Sequence, residues 1–328
     1  MTAPAYQNLT PDVILDAVEA CGYRCDGRIL ALNSYENRVY QVTIDDGSAL
    51  VAKFYRPRRW EDRAILEEHV FAAELAAREI PVVAPLPNKK GRTLFSHGGY
   101  RYALFPRQAG RAPELDRGDT LAWIGRFLGR IHAVSALVSF KWRQEINLDT
   151  FGHEPADFVL DGGFVPPDLV EAYRTTVEDA LARVSRRYAE VGATRGIRLH
   201  GDCHAGNILW SGDGPHFVDL DDCRNGPAVQ DLWMLLSGER DEMTAQLGQI
   251  VTGYREFHTF DARELALVEP LRTLRMIHYA GWLARRWDDP AFPASFPWFN
   301  TQRYWQDHVL ALREQCAAMD EPPLELDC

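Results

Sequence analysis

The sequence predicts an α+β chain: a small antiparallel-sheet lobe over residues 1–107, then a larger, mainly helical lobe over 108–328. Three observations lead there. The run 38-RVYQVTI-44, the turn residues 45-DDGS-48 and the run 49-ALVAKFY-55 read as an antiparallel hairpin. Beyond residue 118 long stretches carry apolar residues at helical spacing instead. Among those stretches lies one polar loop crowded with reactive side chains, 197-IRLHGDCHAGNILW-210, between two short apolar runs.

The elements follow in order. Thr10-Pro11 is a cap residue followed by a first-turn proline. Val13, Ile14, Ala17 and Val18 then keep helical spacing up to Gly22. Strand-like texture begins at Ile29 and runs through the hairpin to Tyr55, where Arg56 to Trp60 break it. In 62-DRAILEEHVFAAELAARE-79 the residues Ile65, Leu66, Phe71, Ala72 and Leu75 form the stripe of a helix packed on one side. Two more strands are expected at 92-RTLFS-96 and 99-GYRYALF-105, with His97-Gly98 as their turn, which gives a small sheet with one covering helix. Helices are expected over 119–137 and 168–188. Short strands are expected at 197–200, 208–210 and 216–220, followed by helices over 229–238 and 263–287. The cluster 287-WDDPAFPASFPWF-299 reads as a packed cap rather than a ligand groove.

Composition narrows the function. Hydrophobic residues at 46% and charged ones at 25% are those of a soluble globular protein. The formal charge of -11 repels polyanions, so neither nucleic acid nor a membrane is expected as a partner, and a phosphate ligand needs a local cation. The six cysteines are scattered, with no framework spacing and no secretory leader, so reduced thiols in a cytoplasm are expected. No apolar run approaches the ~20 residues that span a bilayer.

Phosphoryl transfer needs a base near the attacking hydroxyl and acceptors that hold Mg²⁺ against the phosphates of ATP. The pattern H-x-D-x-x-x-x-N followed by a metal-binding Asp supplies both. Here His200-Gly201-Asp202-Cys203-His204-Ala205-Gly206-Asn207 is followed by Asp219 at the end of the apolar strand 216-HFVDL-220. Upstream, Lys53 in 50-LVAKF-54 would project off the sheet. Glu68 on the next helix is suited by helix phase, rather than Glu67, to pair with it.

These stretches, with NSYENRVYQV, VAKFYRPRRW, FVDLDDCRNGPAVQDLWMLL and RRWDDPAFPASFPW, resemble the aminoglycoside phosphotransferase/choline kinase group of protein-kinase-like enzymes, and a bacterial stress-response branch of it in particular. The similarity runs from about residue 8 to the C-terminus. The resemblance implies a bilobal protein-kinase-like fold, ATP and Mg²⁺ as cofactors, a protein substrate with a serine or threonine acceptor, autophosphorylation, and a cytoplasmic monomer. It makes Asp202 and Asp219 the catalytic pair: Asp202 is the base, and Asp219 joins Asn207 as a metal ligand. It assigns Lys53 to the α/β-phosphates, with Glu68 as its partner, and places Ser34 in the nucleotide-covering loop.

The chain departs from ordinary protein kinases in three places. Asn33 to Asn37 stand where a glycine-rich loop would precede Lys53, and Val218-Asp219-Leu220 replaces D-F-G. Eleven residues separate Asp219 from Asp231 with no A-P-E after them, leaving no room for a long activation loop. Relatives with the same core phosphorylate small alcohols of the aminoglycoside, choline or homoserine type, which is the alternative function. A metal-dependent hydrolase using His200, Asp202 and His204, with Cys203 and Cys223 nearby, is a further alternative. A nucleotide-binding module without catalysis is a third. His200 is expected to be a structural loop histidine. Asp221 and Asp222 read as turn caps with Asp221 a minor metal candidate, and Asp231 reads either as a helix cap or as a bond to the catalytic-loop backbone.

Overall fold

The computed structural model describes residues 5–212 and 214–326. In chain order the elements are α1 (Pro11–Glu19), β1 (Cys25–Leu32), β2 (Arg38–Ile44), β3 (Ala49–Phe54), α2 (Asp62–Ala77), β4 (Phe95–His97) and β5 (Tyr100–Pro106). Then come α3 (Thr120–Ser135), α4 (Glu154–Asp161), α5 (Val170–Val191), β6 (Ile197–Leu199), β7 (Ile208–Ser211), β8 (Gly214–Phe217) and β9 (Arg224–Gly226). The helices α6 (Gln230–Trp233), α7 (Arg240–Tyr254), α8 (Val268–Ala284), α9 (Ala291–Ser295) and α10 (Gln302–Asp320) complete the chain. The fold is of the α+β class, with a small antiparallel sheet and a helical remainder. Among the described residues no helix is long and apolar enough to cross a membrane.

The chain packs as two compact units. The first gathers residues 1–114, 140–143 and 205–223, and the second gathers 115–139, 144–204 and 224–328.

In the first unit an antiparallel sheet has the order β1-β2-β3-β5-β4. The two-residue period of β3 and β5 sorts their side chains to opposite faces. Leu50, Ala52, Phe54, Tyr102 and Leu104 join Ile14, Ala17 and Val18 of α1 in one core cluster, while Tyr55 and Ala103 pack with Ile65 of α2. Thr10 caps α1 as expected, its hydroxyl accepting from Val13 N. Three details differ from the expectation. The sheet has a fifth strand, β1, whose eight residues are all exposed or half-buried and so carry no alternation to read. A second helix, α1, covers the sheet beside α2. The β4–β5 turn falls on Gly98-Gly99, both at positive φ, one residue later than expected.

In the second unit α3 and α7 meet backbone to backbone. A Cβ on Gly125 would collide with the Ile250 carbonyl, and one on Gly253 with that of Ala122. The short strands β6 and β9 pair antiparallel, Leu199 opposite Arg224. The helix expected over 229–238 stops at Trp233, because Leu235 and Leu236 close tight three-residue turns onto Leu232 and Trp233. The one expected over 263–287 starts as a 3₁₀ turn, Ala262–Leu267, before α8. Phe292, Phe296 and Phe299 are buried against Trp282, Trp287 and Trp305, as the packed layer expected of that cluster.

Candidate active site

Lys53 sits on the central strand β3, opposite Val39 of β2 and Ala103 of β5, and its side chain is buried. An isolated ammonium there would be costly, so it must be paired. Nζ lies 2.9 Å from Asp219 Oδ1, 3.2 Å from Asp221 Oδ1 and 3.6 Å from Glu68 Oε1. Burial works against its charge, but Asp219, Asp221 and Glu68 together outweigh it and hold the amine well above the ordinary lysine range. Burial in turn pushes the Glu68 carboxyl up, against the pull of Lys53 and Arg143. Glu67, one residue earlier, points elsewhere and accepts from Lys141 N and Trp142 N. Helix phase therefore separates the two glutamates as the sequence indicated.

The hairpin of β7 and β8 carries the next pair. Its β8 end is stitched to the 81–83 segment, Phe217 N donating to Pro81 O at 2.8 Å and Val83 N to Phe217 O at 3.1 Å. Val218 N donates to Asn207 O at 3.0 Å, which sets Asn207 one residue from the start of Asp219. Asp219 itself lies two residues past the end of β8 rather than on it, a correction to the strand-borne position expected. Its backbone is left-handed, φ 59° and ψ 62°, a conformation uncommon for a non-glycine residue and concentrated at functional sites. That twist leaves its side chain 52% exposed although Oδ1 faces the buried Lys53. The donor types, a carboxylate and an amide, are ones Mg²⁺ accepts, since it keeps several waters and takes one or two carboxylates beside substrate phosphates.

Asp221 and Asp222 are neither turn caps nor free to join a metal. Asp221 is buried between Lys53 and Arg59, and Asp222 pairs with the second nitrogen of Arg59. Although burial alone would raise it, Arg59 and Lys53 hold the Asp221 carboxyl below its usual range. Arg143, also buried, closes the network. It donates to Glu68 Oε2 at 2.9 Å, to the carbonyls of Asp221 and Cys223 at 2.7 and 3.0 Å, and to Ala64 O at 2.9 Å. Ser34 lies half-buried in the β1–β2 connection. Side-chain bonds tie this connection to the chain just after β3: Asn37 Oδ1 accepts from Arg56 N at 3.0 Å, and the Glu36 carboxylate pairs with Arg56 Nε at 2.9 Å.

Asp202 belongs to the second unit. The loop that carries it is fixed by Asp231, whose two oxygens accept from His200 N at 2.7 Å and Gly201 N at 2.8 Å, and by His132, 3.1 Å from Asp231. Asp231 thus bonds the loop backbone, and the N-cap of α6 is Val229. Asp202 Oδ1 lies 2.8 Å from Arg275 Nη2, and Oδ2 lies 3.5 Å from His204 Nε2.

The hydrolase alternative finds no ligand set. Among the described residues no three His, Cys, Asp or Glu side chains gather as a metal cluster. Burial also raises the thiols of Cys203 and Cys223, which disfavours the thiolates zinc requires. Cys21, Cys25, Cys203, Cys223 and Cys316 are free thiols, and Cys328 lies outside the described residues.

The model of the phosphotransferase enzyme family matches residues 28–271. The chain belongs to that family. "Stress response kinase A" of Salmonella choleraesuis is 47% identical over 321 residues, covering 98% of this chain and 97% of the relative. The protein of the same name from Escherichia coli K12 is 46% identical over 99% and 98%. "Serine/threonine protein kinase RdoA" of Salmonella typhimurium is 46% identical over 98% and 97%. Two solved structures share the fold. Amicoumacin kinase hAmiN, in complex with AMP-PNP, Ca²⁺ and Ami, has a TM-score of 0.73 at 20% identity, covering 94% of both chains. A microcompartment-associated aminopropanol kinase has 0.71 at 17%, covering 94% and 97%. This phosphotransferase is accordingly a kinase. Sequence reasoning missed three of its arginines, Arg59, Arg143 and Arg275. The dense 56-RPRRW-60 run in an acidic chain is the one local signal that pointed to any of them.

Proposed function

We propose that this kinase uses Mg²⁺-ATP to phosphorylate serine or threonine hydroxyls of proteins, itself included, as a cytoplasmic monomer in a stress response. The observation that carries the reading is Lys53 Nζ held between Asp219 Oδ1 at 2.9 Å and Glu68 Oε1 at 3.6 Å. An amine so deeply buried stays charged and stays placed, which suits it to the α/β-phosphates of ATP. Glu68, at 3.6 Å, gives the amine a further carboxylate partner besides Asp219. Ser34 and the backbone of its connection cover the nucleotide. Mg²⁺ held by Asn207 and Asp219 would neutralise charge on the phosphates. Asp202 orients the acceptor hydroxyl and takes its proton. Since the transition state is loose, positioning and charge account for most of the rate.

A protein acceptor is favoured over a small alcohol by an identity gradient. The relatives at 46–47% over nearly the whole chain bear the names of stress-response and serine/threonine kinases. The small-molecule kinases among the structural neighbours are at 20% or below. Purified chain incubated with labelled ATP and a soluble cell extract, beside a panel of amino alcohols and sugars, tests this. Labelled protein bands are expected. Label confined to small metabolites assigns the alternative. Asp202→Asn is expected to bind nucleotide normally and lose roughly 10²–10⁴ in turnover, whereas Asp219→Ala weakens Mg²⁺-dependent ATP binding itself. Wild-type transfer by both variants overturns the assignment.

A further inference from the structure

The ion pair on the base of this reaction has no role yet. Asp202 Oδ1 is shielded from solvent while the side chain as a whole remains 24% exposed. The other oxygen, Oδ2, has His204 Nε2 3.5 Å away. What faces Oδ1 is Arg275 Nη2 at 2.8 Å, contributed by α8, whose side chain is itself 39% exposed. Its neighbour one turn earlier, Arg272, is spent on Glu269 at 3.1 Å and on the face of Trp233 at 5.0 Å.

The loop does not need Arg275 to keep its shape. Asp231 already holds the amides of His200 and Gly201, and both oxygens of Asp231 are used in doing so. A partly exposed ion pair contributes little to folding. Its effect falls instead on the Asp202 side chain. A carboxylate rotates easily about its last bond, and the base must present one lone pair to one hydroxyl. It must also do so beside a phosphoryl group that repels it, in a chain of net charge -11. A guanidinium answers both demands, because it is planar, has several donors and stays charged at any working pH.

We propose that Arg275 is a positioning residue for the phosphotransfer: it holds Oδ1 of Asp202 so that Oδ2 faces the acceptor hydroxyl, and it offsets the repulsion between that carboxylate and the incoming phosphoryl group. In the step itself the acceptor oxygen bonds to the γ-phosphorus. The bond from that phosphorus to the β–γ bridging oxygen breaks, its electron pair leaving with ADP, and the hydroxyl proton passes to Asp202 Oδ2. Arg275 gives up no proton.

This inference rests on the kinase reading, and the test separates the two. Full-length wild type, Asp202→Asn, Arg275→Ala, Arg275→Lys and the double variant Asp202→Asn/Arg275→Ala are compared for initial rates of transfer from labelled ATP to protein. ATP KM and thermal melting are measured alongside, and guanidinium chloride at tens of millimolar serves as the rescue probe. Arg275→Ala is expected to lower kcat roughly 10–10²-fold, a loss of the size that follows removal of one preorganised cationic donor. ATP KM and melting stay near wild type. Lysine restores part of the rate, and guanidinium ion restores several-fold in the alanine variant but not in wild type. In the Asp202→Asn background the Arg275→Ala change adds little further loss, since Arg275 acts through that carboxylate. Wild-type kcat in Arg275→Ala, or a loss that neither lysine nor guanidinium moves, or fully multiplicative losses in the double variant, overturns the inference alone. Wild-type rates in Asp202→Asn overturn the base assignment and this inference with it, whereas no transfer from ATP by the wild-type chain overturns the kinase reading.

Discussion

Replacing Arg143 with methionine probes the network at its most connected point. The guanidinium is buried and donates to Glu68 Oε2 and to the carbonyls of Ala64, Asp221 and Cys223, at 2.7–3.0 Å, while lying 4.6 Å from the Trp60 ring. Methionine fills similar volume and keeps the apolar contact with Trp60, but all four acceptors lose their donor. Each unsatisfied buried polar group costs about 1–3 kcal/mol, and breaking a buried ion pair from one side costs about 3–5 kcal/mol. Lys53, 3.6 Å from Glu68, still compensates part of the stranded carboxylate, and water can enter beside the carbonyls. The net loss is then on the order of 3–5 kcal/mol rather than the sum of the parts. At about 2–4 °C per kcal/mol this lowers the melting point by roughly 6–20 °C. Calorimetry reads the shift, and amide exchange on β3 and α2 locates it. Because Glu68 loses an anchor, ATP KM should rise as well. Arg63→Met, which removes an exposed guanidinium stacked on Trp142, serves as the control and should stay within about 0.5 kcal/mol of wild type. Arg143→Met melting within ~2 °C of wild type, with unchanged ATP KM, refutes the reasoning.

Two further outcomes test the packing. His69 bonds Tyr55 Oη at 2.7 Å and Thr93 Oγ1 at 2.8 Å, and burial, aided by the cations of Lys53 and Arg143, pushes it down to about 3. The native ring stays neutral while the unfolded one takes a proton below about 6.5. This contribution is therefore complete above that pH and is lost as pH falls toward 3, at about 1.4 kcal/mol per unit. Melting followed from pH 7 to 4 should show the slope, and His69→Gln should flatten it; an equal slope in the variant contradicts the account. Gly125→Ala drives a methyl into the Ile250 carbonyl across the α3–α7 contact and should cost about 1–3 kcal/mol in chemical denaturation, with an unmoved midpoint as the refuting result.

How much of this was legible depends on whether a residue's partner is local. Lys53 and Glu68 could be read because strand alternation and helix phase are properties of a few consecutive residues, and the same phase logic sends Glu67 to Lys141 N instead. Asn207 and Asp219 stand out in the sequence as a spacing, and the proposed function rests on it. The turn that presents Asp219 was not legible, because left-handed backbone is signalled by glycine and here an aspartate adopts it. Strand β1 was legible only from Ile29 on and not as a separate strand, because with no buried face its residues are free of the alternation by which strands are recognised. The arginines form a third class. Arg143 meets Glu68 across 75 positions and Arg59 meets Asp221 across 162, and nothing near either arginine announces the partner. Charge balance supplies the missing signal. Once 219-DLDD-222 is placed beside Lys53, Glu68, Asp219, Asp221 and Asp222 set four carboxylates against one amine, two of them fully buried. Such an excess cannot persist in a low-dielectric site without further cations. The arrangement therefore demands additional guanidinium groups on the neighbouring segments, and Arg59 and Arg143 are where the chain supplies them.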